Sequence, residues 1–275
     1  MQLKKLYKHD NEKQIWRIVP TANNKVLLEE RDQKTKEVFF SLLDIQSGKQ
    51  IFNELQFEEK NWIGIETIYN ELIFFHTYGS REMPTHKSII AFDTISQSII
   101  WQNDKYVFSF LYDDKIYCYQ QRFESRKFYT LNCFTGEVIE ELNDDVSSLN
   151  ALKEKSLEDF EKQNYLFPEY FNRNDIPLKN YQKYLIQVLE ENVIKGDISY
   201  LLFNDILIFN YHQVNDEGTL DNIIVAVDLP QNRILLKDTL DKNLINLMPE
   251  SFFIKDNFLF LIVDKTKLSI YKIVE

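Results

Sequence analysis

The sequence is poor in the residues that make turns unaided and in those that form covalent staples. Its 275 residues include only 6 glycines, 6 prolines and 2 cysteines. Six glycines hardly supply a phosphate-cradling loop, and no Gly-rich spacing of that kind occurs. Cys118 and Cys133 make neither a disulfide framework nor a zinc motif. They read as buried, reduced thiols acting as small apolar residues. The longest apolar run, residues 258–263, is far shorter than a membrane span. The N-terminal residues lack an apolar core and a small-residue cleavage site, so no secretory signal is read there and the expected location is the cytoplasm. Cationic runs are missing too. With 32 Lys and Arg against 43 Asp and Glu, the net charge is −11. Such a balance opposes phosphate contacts, so neither nucleic acid nor membrane is expected as a partner.

What the chain has is apolar and aromatic. Hydrophobic residues make up 44% and aromatics 14%, with 21 Phe and 15 Tyr. That is ample core material, and it suits half-buried pleated sheets.

Two elements recur along the chain. The first is a strand, a polar residue pair and a second strand. The pairs are Asn23-Asn24, Asn70-Glu71, Asp113-Asp114, Asn204-Asp205 and Asp256-Asn257. Asn and Asp tolerate the left-handed backbone of tight hairpins. The second element is an apolar strand ending in Asp44, Asp93, Asn132 or Asp228, a short turn, and another strand. Gly48, Gly136 and Asn232 occupy the turn step that needs positive φ, and Gln97 is the exception. Each unit is thus four antiparallel strands, a to d. Pair starts at 23, 70, 113, 204 and 256 are separated by 47, 43, 91 and 52 residues. Four short strands per interval of this size is the blade pattern of a β-propeller.

The interval of 91 residues holds an interruption, read as a helical insertion over about 146–196 rather than a degenerate sixth blade. Ser147 and Ser148 can cap a helix carrying Leu149, Leu152, Leu157 and Phe160. A second helix follows Pro177, with Leu178, Tyr181, Leu185, Val188 and Leu189 on one side. The fifth unit runs out of chain after strand c, and the N-terminus is expected to supply its strand d through residues 14–17. The reading is one all-β, propeller-like domain over 1–275, with about five blades.

Ala91, Phe92, Asp93 and Trp101, with echoes at Asp44, Asn132 and Asp228, resemble the repeat of quinoprotein-type propellers, roughly A-x-D-x-x-T-G-x-x-x-W. The whole chain is also similar to an uncharacterised bacterial family described only as a domain of unknown function. The resemblance implies a propeller-like fold and no particular chemistry. Exported quinoproteins often carry adjacent cysteines at the cofactor, and this chain has none, so no cofactor and no cofactor residue is carried over.

Chemistry is sparse. The histidines are His9, His76, His86 and His212. No His-x-His or His-Glu-x-x-His spacing exists, so no metal ligands and no catalytic group are assigned. A small ligand site on the b–c loop face would draw on His76, Tyr78, Arg81, His86, Tyr211 and His212. The cations Arg31, Arg122, Arg126 and Lys127 share that end of the units, but acids of the d–a connections offset them. Trp16, Trp62 and Trp101 are expected to pack between blades. The leading expectation is a non-catalytic scaffold for a protein or peptide partner, with a helical docking element. The alternative is a small-ligand or hydrolytic site on the b–c face.

Overall fold

The computed structural model describes every residue except 22, 80–84, 124, 143–145, 162–164, 173–179 and 275; of 146 and 159–161 it describes the backbone alone. The chain begins with β1 (Gln2–Asp10). Blade one follows as β2 (Gln14–Pro20), β3 (Lys25–Arg31), β4 (Val38–Asp44) and β5 (Gln50–Leu55). Blade two is β6 (Ile63–Tyr69), β7 (Leu72–Tyr78), β8 (His86–Asp93) and β9 (Ser98–Asn103). Blade three is β10 (Val107–Tyr112), β11 (Lys115–Gln121), β12 (Arg126–Asn132) and β13 (Val138–Glu141). The insertion carries α1 (Val146–Glu161), β14 (Tyr165–Leu166), β15 (Glu169–Tyr170) and α2 (Gln182–Glu191). Blade four is β16 (Ile194–Phe203), β17 (Ile206–Val214), β18 (Leu220–Asp228) and β19 (Arg233–Leu244). Blade five is β20 (Phe252–Lys255), β21 (Phe258–Val263) and β22 (Lys267–Val274), completed by β1. This is a propeller-like series of five antiparallel meanders. It divides into two compact units, Lys13–Gln163 and Met1–Glu12 with Asn164–Glu275.

The polar pairs form equivalent hairpin tips in all five blades. Asn24, Asn70, Asp113, Asn204 and Asp256 have positive φ, between 51° and 55°, and in blade three Asp114 joins Asp113 at 59°. The carbonyl of the second member, Asn24, Glu71, Asp114, Asp205 or Asn257, accepts the N–H of Ile45, Thr94, Cys133, Leu229 or Ile273. Each a–b tip is thereby tied to the end of strand c in its own blade. The c–d turns repeat in the same way. Side chains of Asp44, Asp93, Asn132 and Asp228 accept the backbone N–H three residues on, from Ser47, Ser96, Thr135 and Gln231. These short local bonds fix all four turns, with Gly48 and Gly136 at the left-handed step in blades one and three and Asn232 there in blade four. Gln97, the expected exception, also takes the left-handed backbone, at φ 52°. Its side-chain amide donates to the Ile51 carbonyl at 3.0 Å.

Within Lys13–Gln163, Phe40, Phe52, Ile65, Phe75 and Phe92 fill the layer between blades one and two. Phe74, Ile116, Cys118, Leu131 and Cys133 fill the next layer, with Trp101 against it. Both cysteines are free and buried, and burial pushes their thiols up to about 12 and about 11. Trp101 packs between blades as expected, donating its indole N–H to the Cys133 carbonyl at 3.0 Å. Trp16 instead lies exposed beneath the Arg31 guanidinium, and Trp62 stands edge-on to Tyr78. Helix α1 buries Leu149 against Phe110 and Tyr117, with Leu152 beside it, whereas Leu157 is 54% exposed.

In the other unit, Ile208, Ile224, Leu240, Phe252, Leu259 and Tyr271 form the layer between blades four and five. Helix α2 covers blade four with fully buried Leu185, and Tyr181, at its N-cap, packs beside it. The insertion is helical as expected, and Pro177 and Leu178 lie outside the described residues. Its two short strands extend existing sheets, β14 on β20 and β15 on β16.

The closing strand differs from the expected one. Residues 14–17 belong to β2, strand a of blade one, and β1 pairs with β22 from Gln2↔Val274 to Asp10↔Lys267. A short hairpin with β3 closes a far smaller loop than a pairing with the chain's end, so β2 is claimed locally and β1 remains for blade five. The Met1 amino group then meets Asp228 at 3.1 Å, and Arg233 donates to the Met1 carbonyl.

Candidate functional site

The site grows out of irregular pairing in blade two. Along β6, Ile65 opposes Phe75 and Thr67 opposes Phe74, so Glu66 is the extra residue of a bulge. Along β8, Ile90 opposes Phe75 and Lys87 opposes Thr77, leaving Ser88 and Ile89 against His76. Ser88 takes positive φ, and its hydroxyl lies 2.8 Å from that of Thr77. Bulges re-aim side chains and often border functional sites. Here they turn a carboxylate and an imidazole toward each other out of strands that otherwise face a core. The Arg17 guanidinium, on β2, donates to the Ile65 carbonyl and holds the first bulge from the neighbouring blade. Gly64 opposes His76, and a Cβ there would stand 3.0 Å from Cε1 and Nε2 of the imidazole.

His76 and His86 stack with ring centroids 3.6 Å apart and an interplanar angle of 7°. Both present Nδ1 to the same oxygen, Glu66 Oε1, at 3.1 and 2.7 Å. The His86 contact is a hydrogen bond. The His76 contact is within ion-pair distance but not aligned as a hydrogen bond, and both His76 nitrogens lack a hydrogen-bond partner among the described residues. His76 is only 3% exposed. A buried polar group left so costs about 1–3 kcal/mol, which makes it an observation that needs a cause. Burial pushes the Glu66 carboxyl up, but the two imidazoles outweigh it and hold the group below the usual carboxylate range. The His86 side chain is 39% exposed and opens the cluster to solvent. Tyr78 stands edge-on to both imidazoles, 4.8 and 5.5 Å from their centroids, with Trp62 beyond it.

Of the residues singled out from sequence, His76, Tyr78 and His86 meet here, and Arg81 lies outside the described residues. Tyr211 and His212 belong to blade four. Tyr211 is core. His212 accepts the Met248 N–H on Nε2 at 2.9 Å, and burial pulls its imidazole below the usual range. Three of the four b–c cations have local side-chain partners. Arg31 bonds Glu29, Arg126 covers Tyr119 and Lys127 pairs with Glu141. Glu66 escaped sequence reading. Its one signal was that it is the single charged residue in the run of residues 63–69.

Residues 19–101, which hold Glu66, His76 and His86, match a family model described as Domain of unknown function (DUF4905). No curated protein sequence matches the chain. Among solved structures, the chain is similar to BamB from Moraxella catarrhalis, at 8% identity over 98% of this chain and 100% of that one, with a TM-score of 0.29. It is similar to a member of the duf4221 family from Bacteroides vulgatus, at 10% identity over 98% and 97%, with a TM-score of 0.35. It is also similar to the β-propeller domain of the Trilobed protease from Pyrococcus furiosus, at 11% identity over 92% and 78%, with a TM-score of 0.33.

Proposed function

We propose that this chain is a binding scaffold whose ligand is held in blade two by Glu66, His76 and His86. Tyr78 and Trp62 form the aromatic wall. The observation that carries the reading is the buried His76 imidazole, which faces a carboxylate and a second imidazole with neither nitrogen satisfied among the described residues. A ligand that fills this gap binds the native state alone and raises the melting temperature. The test is a thermal-shift panel of metal ions and anionic metabolites on the wild-type chain and on His86→Ala. At least one compound is expected to stabilise the first and not the second. A panel that never separates the two proteins overturns the reading.

A protein or peptide partner is the second reading, and a different observation favours it. In the insertion, Phe167 and Tyr170 are 65% and 67% exposed. Phe167 caps an aromatic row, stacked on Tyr165 and followed by Phe253 and Phe260. Partly wet aromatics of this kind anchor interfaces. Deleting residues 146–196 would not be a clean test, because Leu185 and Tyr181 belong to the core of blade four. The double variant Phe167→Ser, Tyr170→Ser avoids that. Loss of a partner recovered by the wild type supports this reading, and an unchanged set of partners removes it.

A further inference from the structure

Resting on the first of these readings, we propose that the ligand is a divalent transition-metal ion bound by one ring nitrogen each of His76 and His86 and by the Glu66 carboxylate. The three residues offer donor atoms that all lie within 4.8 Å of one another. Metal bonds of about 2.0–2.2 Å to nitrogen and oxygen place neighbouring ligand atoms roughly 3–3.5 Å apart. The Nδ1 to Oε1 separations of 3.1 and 2.7 Å then open by up to about 0.8 Å, and the stacked imidazoles turn out of parallel so that their in-plane lone pairs converge on the ion.

The donor set also selects the ion. Two neutral imidazoles and one carboxylate carry a single negative charge, which a divalent cation complements. Imidazole nitrogen suits zinc, cobalt, nickel or ferrous iron, whereas calcium and magnesium take oxygen ligands. The rest of the site fits a bound ion. Gly64 leaves room beside the His76 ring, and Arg17 pins the bulge that aims Glu66. The exposed edge of His86 leaves an entry path, which a metal site requires. A metal satisfies one of the two idle His76 nitrogens, which no group among the described residues does. Three protein ligands leave a position of a four-coordinate ion open to water or a small anion.

The test uses the full chain, free of any affinity tag and stripped with a chelator. Zinc binding is measured by calorimetry, and cobalt binding by its visible absorption. One ion per chain is expected, with thermal stabilisation by zinc, cobalt and nickel and none by magnesium or calcium. His86→Ala, at the exposed edge, and Glu66→Gln, which keeps the side chain's shape, are each expected to weaken zinc binding about 100-fold or more. The proposal falls if the wild type binds no stoichiometric transition metal, or if both variants, shown folded by circular dichroism, keep wild-type affinity. If metals fail but an anionic metabolite stabilises the wild type and not His86→Ala, the metal falls and the binding scaffold stands. If no compound separates them, both fall.

Discussion

Gly136 shows how one residue couples a turn to a layer between blades. Its φ of +71° is a conformation that L side chains disfavour, and an added Cβ would lie 2.6 Å from the Trp101 ring. Gly136→Ala is therefore expected to cost about 2–4 kcal/mol, from backbone strain plus overpacking. Gly218 has φ +76° with nothing within 4 Å. Gly218→Ala should cost about 1–2 kcal/mol, the backbone part alone. Denaturant melts of the two variants separate the contributions, and equal losses would show that Trp101 gives way freely. Titration is equally local. Asp241 is buried in blade four, and Asn222 donates to it at 3.1 Å. Burial raises its carboxyl, and the Asn222 bond offsets that only in part. The folded state thus keeps this proton to higher pH than the unfolded chain does. Stability from this group is lost as pH rises from the ordinary carboxylate range through the raised value. Asp241→Asn should melt higher than wild type at pH 7, with the gap closing toward pH 4. A gap that does not depend on pH would remove titration as its cause.

At the scale of elements, the hairpins were legible and the strand that completes the last blade was not. Asx turns and polar pairs act over two to four residues, so Asn70 or Asp93 declares its turn without tertiary help. Strand partners are a different matter. Trp16 resembles Trp101 in sequence, yet it lies on strand a of blade one while Trp101 lies on strand d of blade two. Competition between a short hairpin and a long-range pairing decided that, and one-dimensional pattern does not weigh the two. Strand β1 has little apolar character of its own and is held by its ladder with β22. Deleting residues 2–10 should expose β22 as an edge strand. Amide exchange in β20–β22 is expected to speed up, with β2–β5 unchanged. Unchanged protection in β22 would show that blade five does not need its borrowed strand. The helices divide similarly. Leu185 was legible as a buried position, whereas Leu157 stays exposed while its neighbour Ser156 turns to β10 and donates to the Leu111 carbonyl at 2.8 Å.

At the scale of the molecule, charge and tertiary arrangement act separately. The sequence pI is about 5.0. Solubility should pass through a minimum near that pH, where net repulsion vanishes, and turbidity against pH checks it. The sequence by itself determined the five blades, their tips and the helical interruption, because each rests on contacts a few residues apart or on alternation along one strand. Only the tertiary structure decided the site. Glu66, His76 and His86 stand on three successive strands and share no motif spacing. They meet because two bulges change which side chains face one another. A bulge is set by how neighbouring strands and the blade beside them pack, and no local pattern announces it.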